Sequence, residues 1–60
     1  MTIAEFKDLR TGDLVQVASG RIYRAHFFYF HKPDFVQQHN GKDRGPYRTL
    51  KPESIQKVTS

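Results

Sequence analysis

The side chains best suited to proton transfer near neutrality are His26, His31 and His39, set among Asp, Glu and a larger number of Lys and Arg. Pairing His26 with His31 or His39, with Arg24 stabilising phosphate charge, would give a nuclease-like acid and base. The hydroxyl nucleophiles are Ser19, Ser54, Ser60 and four Thr, and there is no Cys. No spacing in the chain forces a nucleophile, a base and an orienting group to converge, so a non-catalytic protein is expected. His31 and His39 flank an expected hairpin with Asp34 nearby, an N/O donor set compatible with zinc. Hairpin histidines are commonly solvated and no metal-motif spacing occurs, so neither metal nor cofactor is expected.

A stronger signal is the mixing of basic and aromatic residues. Arg21, Tyr23, Arg24, His26, Tyr29, His31 and Lys32 lie on or beside one stretch, and Lys42, Arg44, Tyr47, Arg48 and Lys51 on a later one. Flat rings stack on unpaired bases for ~1–3 kcal/mol per base, while cations follow the backbone. Ten Lys+Arg against six Asp+Glu leave a net charge of +4. The expected function is therefore that of a nucleic-acid-binding accessory or regulatory protein, for DNA or RNA. Arg21, Arg24, Lys42, Arg44 and Arg48 would hold phosphates, and Tyr23, Tyr29 and Tyr47 would stack on or frame bases. The same residues fit a rival class, a small protein-interaction module that grips an acidic partner or adds a strand at a free sheet edge. A phage or bacterial protein that inhibits or redirects a host enzyme would have this size. Salt separates the two readings, because counterion release makes nucleic-acid binding fall steeply with ionic strength.

These side chains need a scaffold, and 60 residues at 7.0 kDa supply one domain spanning 1–60. A chain this short buries only about 60% of the surface its unfolded form exposes, which leaves little material for a deep cleft and makes a homodimer a reasonable way to gain burial. No apolar run is long enough to span a membrane, and Glu5, Lys7, Asp8 and Arg10 interrupt any signal-peptide core. A soluble cytoplasmic protein is expected.

Thr2 and Glu5 have capping-box spacing, and Ile3, Phe6 and Leu9 follow at helical intervals, so a short helix is predicted over residues 3–9. Gly12 suits the turn that ends it. Strands are predicted over 14–18, 21–31, 35–39, 47–50 and 55–58. Between them stand turns at Ser19-Gly20, Lys32-Pro33-Asp34 and Asn40-Gly41, a polar loop over 42–45, and a tight helical turn at Pro52-Glu53-Ser54. The second strand is ambiguous in phase. One face would carry Ile22, Arg24, His26, Phe28 and Phe30, the other Tyr23, Ala25, Phe27, Tyr29 and His31, and neither set is cleanly polar.

The opening Gly12-Asp13-Leu14-Val15-Gln16-Val17, the long second strand, the hairpin and the one-turn helix before the last strand resemble an SH3-like small barrel of the KOW or Tudor kind. The resemblance covers residues 9–58 at the level of architecture. It implies an all-β, five-stranded SH3-like barrel with a short N-terminal helical segment, and carries over no functional residue. The expected core is Phe6, Leu9, Leu14, Val15, Val17, Ile22, Phe28, Phe30, Val36, Leu50, Ile55 and Val58. A one-residue slip of the second strand would bring Phe27 in and put Phe28 out.

Overall fold

The capping box forms as its spacing predicts. Thr2 Oγ1 accepts a hydrogen bond from the Glu5 N–H at 3.1 Å, and Glu5 Oε1 accepts one from the Thr2 N–H at 2.9 Å. Together they start α1 (Ile3–Lys7), a helix too short to persist without tertiary support. Phe6 provides that support, its ring centroid 6.2 Å from that of Phe35. In this computed structural model, residues 1–29 and 32–58 are described. Phe30, expected in the core, and His31, weighed as a base and as a ligand, lie outside the described residues.

The remaining elements are β1 (Leu14–Val17), β2 (Ile22–Tyr29), β3 (Lys32–His39), β4 (Lys42–Arg48), a one-turn 3-10 helix at Pro52–Ser54 and β5 (Ile55–Lys57). They build one five-stranded antiparallel sheet in the order β4-β3-β2-β1-β5. Among the described residues, β4 and β5 stand as its two edges. The ladder between β1 and β2 continues below the strands, where the Ala25 N–H donates to the Asp13 carbonyl at 2.8 Å and the Gly12 N–H to the Ala25 carbonyl at 2.9 Å. At the other edge the Met1 ammonium group donates to the carbonyls of Pro52, at 3.0 Å, and Ile55, tying the start of the chain to the 3-10 turn and β5.

Register decides what is buried. Val15 pairs with Tyr23, Tyr23 with Gln37, and Ala25 with Phe35. Leu9, Val15, Tyr23, Ala25, Phe35 and Ile55 form the core, with Met1, Phe6, Val17, Phe27 and Leu50 packed around it. The second of the two possible phases of β2 is therefore the real one. Phe27 turns inward, while Phe28, expected in the core, is 53% exposed. Leu14, also expected inside, faces out beside Arg24. Ile22 and Val58 are only half-buried. The reason is Arg24. A guanidinium is costly to bury without a partner, and Arg24 shares its face with Ile22, His26 and Phe28, so that face must stay toward solvent.

Two segment boundaries also differ from expectation. Lys32, Pro33 and Asp34 do not form a turn; they open β3, paired with Tyr29, Phe27 and His26 respectively. Pro33 is tolerated because β4 ends opposite Phe35, so at Pro33 only β2 lies beside β3. Residues 42–45 are not a loop. They begin β4, which stops at Arg48 instead of reaching Leu50. The Asn40-Gly41 turn forms as predicted, with φ of 52° and 77°, both positive as a tight type I′ hairpin turn requires.

Phe35 is fully buried at the centre of the sheet. Truncating such a ring costs about 3–5 kcal/mol, against a total of roughly 3–9 kcal/mol expected for a chain of this length. Phe35→Ala should therefore abolish or nearly abolish the cooperative thermal transition, whereas Phe28→Ala should stay within about 1 kcal/mol of the native protein. Equal losses for the two variants in urea melts would contradict the assigned faces.

Candidate functional site

The face of the sheet turned away from the core carries a contiguous group of side chains from its three longest strands. From β2 come Arg24, His26 and Phe28. Their partners on β3 include Val36, opposite Arg24, and Asp34, opposite His26. From β4 come Asp43, opposite Gln38, and Tyr47.

Three rings touch on this face. Phe28 and Tyr47 meet edge-to-face, with centroids 4.8 Å apart and planes at 85°. His26 packs on both, 4.4 Å from Phe28 and 5.7 Å from Tyr47. Edge-to-face contact is a favoured arrangement for two aromatic rings, yet Phe28 and Tyr47 remain 53% and 40% exposed. Tyr47, four residues after Asp43, lies on the same face of β4, and an irregularity in β4 sets where along β3 it sits. Between the pairs Gln37↔Arg44 and Phe35↔Arg48, the residues Gly45, Pro46 and Tyr47 stand opposite Val36 alone. Gly45 takes a φ of 85°, a conformation that favours glycine.

Beside the rings lies a polar network spanning three strands. Arg24 donates to both oxygens of Asp43, from Nη2 at 2.7 Å and from Nε at 3.3 Å, and the Gln38 amide donates to Asp43 Oδ1 at 2.7 Å. Val36, at the centre of this face, is 1% exposed although it lies outside the main core. The hydrogen bonds from Arg24 and then Gln38 hold the Asp43 carboxyl below its ordinary value of 3.8, and the positive field of His26 adds in the same direction. Arg24 is correspondingly raised, chiefly by its hydrogen bond to Asp43, with the nearby Tyr47 contributing less.

The residues expected to contact phosphates and bases are divided between the two faces of the sheet. Lys42, Arg44, Tyr47 and Arg48 all lie exposed on the edge strand β4. The register sets Lys42, Arg44 and Arg48 on one face of that strand, with His39, Gln37 and Phe35, and Asp43 and Tyr47 on the other. Arg21 and Tyr29 are exposed at opposite ends of β2, Arg21 at the end where the Asn40-Gly41 turn lies. Neither Arg21 nor the three β4 cations make an ion pair among the described residues. Two assignments are corrected. Tyr23 is 4% exposed in the core and cannot stack on a ligand. Arg24 is engaged by Asp43 and is not a free phosphate-binding cation.

Among the described residues, the alternative chemistries find no assembled site. His26 and His39 lie on opposite faces of the sheet, so they do not form an acid–base pair. Asp34 and His39 likewise face opposite ways on β3, and no three His, Cys, Asp or Glu gather as metal ligands among the described residues. An open groove of about 430 Å³ between the β1–β2 turn and the 3-10 turn has Glu53 as its one titratable side chain and lies on the β5 side, away from the rings. Among the described residues, no helix is long and apolar enough to cross a membrane.

Phe28 is absent from the expected site because it is assigned to the core, while His26 is read only as a member of the basic and aromatic stretch and as a candidate base. The charge of Arg24 was the signal that could have placed them outside. Compared with known proteins, the chain matches no family, no curated protein and no solved structure.

Because the folded Asp43 carboxyl is lowered, its contribution to stability is fully present above 3.8 and lost as pH falls through that value toward the lower folded one. Asp43→Asn should melt below the native protein at neutral pH, and the gap should close as the solution is acidified past pH 3.8. Thermal melts across that range check this, and a gap independent of pH would remove Asp43 as its source.

Proposed function

We propose that this protein is a non-catalytic, cytoplasmic accessory or regulatory protein that binds single-stranded nucleic acid, and that its sheet is a small barrel of the SH3-like kind. The resemblance rests on the four-strand meander, the 3-10 turn before the last strand and the pairing of β5 with β1.

The observation that carries the reading is the composition of the β4 edge and of the ring face that reaches it. Half-exposed rings, Phe28 and Tyr47, stand beside an edge strand that also bears Lys42, Arg44 and Arg48 without ion-pair partners among the described residues. Bases lie over the ring face while the sugar–phosphate backbone follows the β4 edge, where the cations reach it. Rings on a sheet face stack only on bases released from pairing, which selects single strands over duplex.

The rival reading, strand addition by a protein partner, is disfavoured at β4 itself. The Gly45-Pro46 irregularity and the flanking cations are the devices by which sheet edges resist pairing with another strand.

The test is fluorescence anisotropy with a labelled single-stranded oligonucleotide of about 12 nucleotides, a length within the site sizes of small β modules, and with its duplex. The single strand should bind better, with log affinity falling linearly in log salt. Replacing Lys42, Arg44 or Arg48 by Gln should flatten that slope by roughly 0.7 each. Phe28→Ala and Tyr47→Ala should each weaken binding by about 1–3 kcal/mol without changing the slope. No binding of either oligonucleotide at low salt would overturn the reading.

A further inference from the structure

We propose that Arg24 meets the nucleic acid as a flat stacking surface, held in place by Asp43, and not as a phosphate clamp. This inference rests on the single-strand reading above and names what one further residue does within it.

Geometry comes first. The guanidinium presents its Nε and Nη2 edge to Asp43 in a two-point fork, at 3.3 and 2.7 Å. Such a fork fixes the plane of the group as well as its position. The carboxylate is itself anchored, since Gln38 donates to Oδ1 at 2.7 Å. The plane is thus fixed from β3 and β4 while Arg24 springs from β2. It lies on the same face as the Phe28, His26 and Tyr47 cluster and keeps 27% of its side chain exposed. Guanidinium planes serve as stacking partners for unpaired bases in the same way as aromatic rings.

Charge is the second argument. Asp43 is the counter-ion of Arg24 in the free protein, so the pair is neutral as a unit. A neutral unit displaces no counterion from a phosphate, whereas Lys42, Arg44 and Arg48 do. Arg24 therefore contributes to affinity through contact area and not through the salt-dependent term. The role of Asp43, otherwise an ill-placed negative charge in a nucleic-acid site, is to cancel that charge and hold the plane.

Salt titrations of variants test this with the same labelled single strand. Arg24→Gln should weaken binding roughly tenfold, within the range measured for one stacked base, and leave the salt slope unchanged. Arg24→Lys should weaken it comparably, since charge is retained but the plane is lost. Asp43→Asn should steepen the slope by roughly 0.7, because the guanidinium then becomes an unneutralised cation. A merely structural role for the pair, holding β2 to β4, predicts instead that Asp43→Asn weakens binding as Arg24→Gln does and leaves the slope unchanged. Thermal melts of each variant confirm that it is folded at the assay temperature. Full rescue by Lys, a flatter slope in Arg24→Gln, or no effect of Arg24→Gln would each overturn the stacking role while native binding persisted. Failure of the native protein to bind would overturn the single-strand reading itself.

Discussion

The molecule turns on the register of β2 against β3. Ala25 lies across from Phe35, both fully buried, and α1 sets Phe6 against the same ring. A slip of one residue would exchange the faces of β2 throughout, because side chains alternate with period two. It would drive Arg24 toward the core and strip away its partner on β4. The buried set and the exposed set are therefore one choice, made once. Packing around Phe35 favours it from the inside, and the need of Arg24 for Asp43 and solvent favours it from the outside.

Legibility in the sequence followed the range of the interactions. The capping box at Thr2 and Glu5, the Asn40-Gly41 turn and the Pro52 turn are written in neighbouring residues, because the hydrogen bond or the positive φ that each requires is satisfied locally. Lys32, Pro33 and Asp34 have turn chemistry but form strand, since pairing with β2 supplies what local preference does not. Residues 42–45 likewise carry Gly and charge, which suit a loop. The tight turn before them nevertheless aligns them with β3 and makes them strand. In both places a tertiary ladder overrides a local propensity.

The exposure of Lys42, Arg44 and Arg48 could be read directly, since charged side chains on an edge strand stay in solvent. Tyr23 could not, because a tyrosine fits a core as well as a surface and only the phase of β2 distinguishes the two. The Arg24–Asp43 pair was beyond reach for a different reason. Its members are 19 residues apart and meet only across the intervening strand β3, so no local pattern marks them. An unpaired arginine and a loop aspartate in the sequence become, in the fold, a single neutral unit.

One feature of β4 joins the edge to the site. Its irregularity at Gly45 and Pro46 shifts Tyr47 by two residues along β3, toward Val36, and the same irregularity breaks the row of backbone groups that another β-strand would need. A regular β4, continued at the register of Lys42 to Arg44, would keep an intact edge and would set Tyr47 on the same face but farther along, opposite Asp34. Protection of the edge and the position of Tyr47 along the ring face thus have a common cause. The cations lie on the other face of the same strand, so rings and cations meet only at its edge. On the proposed reading, the edge of β4 is therefore the line along which a bound single strand would run.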